Sequence, residues 1–454
     1  MKRTPTILAF LAISLLPLMA AWFVSGTLSE QKYRVTDVSD ISYVPASFPV
    51  GFSLLTHGDH QFVAYYDSAK NMTIASRKLN DKLWNYKVLD SKIGWDSHNY
   101  VVMKIDAHGY LHVSGNMHVN PLVYFISTNP LDIQSLTRVG KMIGREEDKV
   151  TYPAFMDGPN GEFLFHYRYG SSGNGYEVYN SWDVETQTWT RYMDKPLIDG
   201  ENQRNAYMQG PMLGPDNLYH MVWVWRDTPD CATNHTLSYA RSRDLLHWES
   251  IRGEKVDIPI TISEKTLYVD ETPPGGGLLN PNIRLSFDSS GNVIIGYHKY
   301  DKDMFTQLFI SRYENGHWTN RQITQWNLKW IFQGGGSIQG KLSIAVPQVL
   351  PNGNVSFGYE RKDISQGRGQ VILDGKTLHP IKEESSMKKF PDIFYSTESN
   401  FPEMTVKTST DLGKSLSNGA IYMLRWETLP SNRDVKPKGE LPPPSMLRLY
   451  KLNK

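Results

Sequence analysis

With 454 residues, the chain is long enough for two or three ordinary domains or for one large repetitive all-β domain. Its 48 basic residues are balanced by 47 acidic ones, which excludes the broad positive field that nucleic acid binding requires. The single cysteine, Cys231, excludes an intramolecular disulfide framework, while an aromatic content of 12 % favours short strands, turns and rings suited to sugar faces.

At the start of the chain, Lys2 and Arg3 precede an apolar run from Ile7 to Val24, broken by Pro17 and followed by Ser25 and Gly26. Residues 1–26 therefore read as a secretory signal peptide. An uncleaved membrane anchor is the alternative, because the run approaches spanning length. The expectation is a secreted or periplasmic monomer with no stable membrane partner, whose residues 27–454 form a single domain.

From there on, the sequence alternates apolar runs with Gly/Asn/Asp turns, as in YVVMKID, FLFHYRYG, LYHMVWVW and NVSFGYE. These are strand patterns. A turn followed by an apolar strand recurs at Gly58, Gly109, Gly161, Asn217, Gly291, Gly353 and Gly419, 51 to 74 residues apart. Such a period signals a propeller, and a β-helix would need much shorter repeats. The stretches ASRKLNDKLW, SWDVETQTW, ARSRDLLHW and ISRYENGHW resemble degenerate Asp-box hairpins of propeller blades. The expected fold is an all-β, seven-bladed β-propeller, with the Pro-rich PKGELPPPSM near the end as a strap.

The second repeat holds four histidines: His98, His108, His112 and His118. If Ala107, His108 and Gly109 form the hairpin loop, residues whose numbers sum to about 216 pair across it. His98 then faces His118, His108 lies in the turn, and His112 sits roughly 20 Å from His118. One four-histidine metal site is excluded. In the third repeat a turn near residues 158–161 places Tyr152 opposite Tyr167 or Arg168. In the fourth, Tyr207 precedes its turn by a similar interval. Equivalent positions of consecutive blades share one rim, so His98, His118, Tyr152, Arg168 and Tyr207 are expected to converge.

This set lacks the paired carboxylates of glycoside hydrolysis and a serine in an elbow sequence. It offers an acid/base set and a cation, the inventory for β-elimination from a uronic acid. Arg168, with His118 and Tyr207, would neutralise the substrate carboxylate, while Tyr152 and His98 would exchange protons. Basic action by Tyr152 requires a positive charge such as Arg168 to lower its pKa. The Gly-rich PPGGGLLNPN and FQGGGSIQG are not phosphate loops, since neither carries GK[ST].

The motifs WDSHN, GNMHVNPL, TYPAF, FHYRYGSSGNG and RNAYMQGP resemble the BNR-repeat polysaccharide lyases, the seven-bladed propeller ulvan lyases. The resemblance implies cleavage of ulvan, a sulfated rhamnose/uronic acid polymer, with no catalytic cofactor. It also implies His98 and Tyr152 as the acid/base pair, with His118, Arg168 and Tyr207 on the carboxylate. Arg226, on the same rim, is a second substrate-binding candidate, or else a solvated surface residue. Some family members hold a structural zinc through His and Cys, for which Cys231, His235 and His298 are the candidates here, without a fourth ligand. The alternative function is a non-catalytic propeller that binds an acidic polysaccharide.

Overall fold

The computed structural model describes residues 33–365, 367–386, 388–413 and 419–454. The expected signal peptide, residues 1–26, lies outside the described residues. Among those described, no helix is long and apolar enough to cross a membrane.

The described residues form seven antiparallel sheets. Each is built largely from successive hairpins, because short turns return the chain beside the strand just made. All seven turn residues read from the sequence have positive φ, from +59° at Gly58 to +87° at Gly109. Glycine enters that region without steric cost, and asparagine, as at Asn217, tolerates it. Strands such as Asn174–Asp183 are buried over most of their length, which places large side chains such as Val178 and Trp182 in the core. Three of the tryptophans in the Ser–Trp hairpins, Trp84, Trp189 and Trp248, are buried there.

The two ends of the described chain meet in one sheet. Strand Arg34–Val44 pairs with the last strand, Ser445–Asn453, which itself pairs with Ile421–Thr428. One sheet thus joins the two ends of the described chain, as the closing sheet of a propeller does. The Pro-rich segment leads into that last strand, but the strapping contacts come from the residues just before it. Asn432 donates to the Trp95 carbonyl at 2.9 Å, and Asp434 accepts from the Ser337 amide at 3.0 Å.

The second and third sheets place the histidines and Tyr152. Strands Val101–Ile105 and Leu111–Gly115 pair with residue numbers summing to 216, from Val101–Gly115 to Ile105–Leu111. The ladder stops there. His98 lies in the turn that precedes it, and His118 opens a short strand, His118–Asn120, on the edge of the third sheet, opposite Thr151. The two histidines do meet, but across two sheets rather than across one hairpin. His112 is fully buried, its ring held by Tyr124 and Asp106, so it is structural.

Candidate active site

A cavity of about 530 Å³ is bordered by His98, Tyr152, Glu177, Tyr207 and Arg226. Tyr152 enters it through a bulge. The pairing of strand Val150–Asp157 with Phe163–Ser171 shifts between Thr151–Arg168 and Ala154–His166, so Tyr152 and Pro153 oppose a single residue. Tyr152 has φ +57°, a left-handed conformation that costs a bulky residue on the order of 1–3 kcal/mol. Its ring is thereby turned out of the ladder, toward the histidines. The centroids of His98 and His118 lie 6.0 and 6.1 Å from it, and 4.4 Å from each other.

Two carboxylates hold the histidines. Asp96 accepts from the His98 backbone N–H and approaches its Nδ1, both at 2.9 Å, while its other oxygen lies 2.6 Å from His118 Nδ1. Asp434, from the far end of the chain, comes within 3.1 Å of His98 Nδ1. Burial works against charge on His98, but Asp434 and Asp96 outweigh it and lift its pKa to about 9. His98 is an imidazolium at neutral pH. These four side chains are the only group of three or more His, Cys, Asp or Glu among the described residues whose ligating atoms lie within 4.8 Å of one another. The oxygens lie at hydrogen-bond distance from ring nitrogens, so shared protons hold the cluster together.

Across the cavity, the Tyr207 hydroxyl accepts from Arg226 Nη1 at 2.9 Å and from Arg168 Nη1 at 3.5 Å, and it shares a proton with Ser172 at 2.8 Å. Burial opposes its ionisation, yet Arg226 and Arg168 override that and hold the phenol below its ordinary pKa. Tyr152 goes the other way. Burial and the neighbouring Tyr207, 6.1 Å away ring to ring, raise its pKa despite the Arg168 guanidinium 4.9 Å from its ring. The lowering expected at Tyr152 therefore falls on Tyr207, because that oxygen, not Tyr152's, receives the guanidinium N–H groups.

Arg168 is only 1 % exposed and does not border the cavity; it lies behind the two tyrosines, its stem passing Gly175. A Cβ at residue 175 would sit 2.9 Å from the Tyr169 carbonyl oxygen and 3.1 Å from Arg168 Cδ, which explains the glycine. The cation on the cavity wall is Arg226. It is buried at 8 % exposure, which rules out the solvated-surface reading, and is fixed by Asn234, Tyr207 and Asn280 at 2.7–2.9 Å.

The set proposed for zinc does not assemble. Cys231, His235 and His298 form no group with ligating atoms within 4.8 Å among the described residues. His235 spends both ring nitrogens on Thr236 and Asp227. His298 is fully buried against Trp330 and Phe332. No step is assigned to a metal there.

Sequence reasoning missed three carboxyl groups. Asp96 stood in the WDSHN motif, two residues before His98, and could have been read as its partner. Asp434 and Glu177 had no local signal, because only the closed ring brings them to the cavity.

The family described as BNR repeat-containing matches residues 60–326. The short isoform of ulvan lyase from Alteromonas sp. (strain LOR) is 26 % identical over 159 residues, covering 32 % of this chain and 30 % of that protein. The long isoform from Glaciecola sp. (strain KUL10) is 32 % identical over 86 residues, 19 % of this chain and 8 % of that one. The chain thus spans less than a third of either relative. Among solved structures, the polysaccharide lyase Uly1 superposes with a TM-score of 0.60 at 11 % identity, over 92 % of this chain and 99 % of that one. A PL25 ulvan lyase bound to -[GlcA(1-4)Rha3S]- gives 0.57 at 15 % identity, over 86 % and 92 %. These likenesses show a shared fold.

Proposed function

Because the chain belongs to the BNR repeat-containing family, we propose that it is an exported polysaccharide lyase that cleaves ulvan by β-elimination at the uronic acid. One observation carries this reading. A phenol clamped by two guanidiniums and an imidazolium held by two carboxylates border the same cavity, a base and an acid within reach of one sugar. Similarity to ulvan lyases, one of them solved with a glucuronate–sulfated rhamnose segment, supports the substrate.

In this mechanism the uronate carboxylate rests against Arg226, with Arg168 adding positive charge from behind the tyrosines. That charge acidifies the C5 proton. The Tyr152/Tyr207 pair removes it, the negative charge resting on Tyr207 in the free site. Electrons from the C5–H bond form the C4=C5 double bond, the C4–O4 bond breaks, and His98 protonates the departing oxygen. Incubation with ulvan should produce the ultraviolet absorbance of an unsaturated uronate, and a flat trace would remove the lyase reading.

The acid role has its own test. His98 must carry its proton to act, so kcat/KM should fall as pH rises through about 9. Asp434→Asn removes one of the two charges that sustain that pKa. The alkaline limb of the kcat/KM profile should then move toward neutrality, with little change in the acidic limb. An unmoved alkaline limb would take the acid role away from His98.

A further inference from the structure

Glu177 borders the same cavity but has no part in the mechanism above. It lies on strand Asn174–Asp183, opposite Arg168 in the ladder. The residue is 7 % exposed, its carboxyl faces the cavity, and among the described residues no side-chain hydrogen bond reaches it. A buried carboxyl without a donor is costly when ionised.

Its surroundings supply few cations. Arg168 faces it from the neighbouring strand, with His166 two residues before Arg168 on the same face. Tyr179 follows on its own strand, Tyr100 and Tyr152 approach from the second and third sheets, and Tyr207 and Arg226 stand on the fourth. His166 is neutral, since burial drops its pKa to about 4, and burial likewise raises the pKa values of Tyr100, Tyr152 and Tyr179. Arg226 already serves Tyr207, Asn234 and Asn280. The His98 imidazolium on the same cavity is held by Asp96 and Asp434, which leaves Arg168 as the counter-charge for Glu177. Burial outweighs its pull and lifts the Glu177 pKa to about 7.

A uronate entering this cavity brings a second carboxylate to the same cations. Two carboxylates sharing a low-dielectric site do not both stay ionised. We propose that Glu177 is a specificity-determining residue that takes up one proton from solvent as the uronate binds, and that its neutral carboxyl then donates a hydrogen bond in the cavity. The inference rests on the uronate reading of the cavity. It means that an acidic sugar binds together with a proton, whereas a neutral sugar does not.

The probe is glucuronate, which has no glycosidic bond to cleave, with glucose as the uncharged control. Titration calorimetry of the full chain near pH 8, in buffers of different ionisation enthalpy, should register about one proton taken up per glucuronate bound. Glu177→Gln should take up about one proton fewer. Above about pH 7 the wild-type affinity should fall about tenfold per pH unit, while the Glu177→Gln affinity falls less steeply. Equal proton uptake in the two proteins, or equal pH slopes, would overturn the proposal. A second readout needs no ligand. Because the pKa of Glu177 is raised in the folded protein, wild-type stability should decline as pH rises from the ordinary carboxylate range through about 7. Glu177→Gln should lessen that decline, and an undiminished decline would show that Glu177 does not titrate there. Loss of glucuronate binding by both proteins, with the stability difference intact, would instead overturn the uronate reading and the proposal built on it.

Discussion

Tyr152→Phe should lower kcat by roughly 10²–10⁴, the range for loss of a proton-transfer group, with only a small change in KM. The hydroxyl removed makes no hydrogen bond within the described protein, and its ring packing beside His98 and His118 survives in phenylalanine. The left-handed backbone at residue 152 is no harder for phenylalanine than for tyrosine. Tyr207→Phe should cost a similar factor for a different reason, since it removes the oxygen on which the negative charge rests. The pH profiles separate the two. Tyr207→Phe should displace the acidic limb of kcat/KM toward higher pH, because the remaining Tyr152 phenol ionises less readily. Tyr152→Phe should leave that limb in place. A fully active Tyr152→Phe protein would move proton transfer away from the bulge, and an unshifted limb in Tyr207→Phe would move the charge away from Tyr207.

Arg226→Met should reduce kcat/KM by about 10²–10³, the effect of losing one donor aimed at developing charge. Three hydrogen bonds hold this guanidinium, and one of them ends on the Tyr207 hydroxyl. The loss therefore acts twice, on the substrate carboxylate and on the ionisation of Tyr207. Arg226→Lys keeps the charge but not the planar fork, and should recover only part of the activity. Circular dichroism and the melting temperature must accompany both, because Asn234 and Asn280 lose a partner. Wild-type kinetics in a folded Arg226→Met protein would leave Arg168 to neutralise the substrate alone.

Much of this site was legible in the sequence because strand register is arithmetic. A loop centred on His108 fixes every pair of its hairpin, and the ladder obeys the predicted sum along its whole length. The repeat of turn residues carried the closed fold in the same way, since each needs a left-handed backbone. What register could not convey is where a ladder ends. His118 leaves its hairpin to pair with Thr151, and Tyr152 swings out on a bulge that no local residue announces. Electrostatics were less legible still. Arg168 and Tyr152 are indeed neighbours, but burial keeps the Tyr152 pKa high, while the charges of Arg226 and Arg168 lower that of Tyr207. Asp434 reaches His98 only because the last sheet closes on the first strand. The zinc set failed for a related reason: residues near one another in sequence or on neighbouring blades need not aim their ligand atoms at one point.

The central claim is elimination rather than hydrolysis or simple binding, and product analysis in heavy-oxygen water tests it most directly. The wild-type protein should shorten ulvan to fragments that end in an unsaturated uronate and take up no oxygen from the solvent. Fragments that carry solvent oxygen at the cleaved bond, or intact polymer after binding, would contradict the assignment.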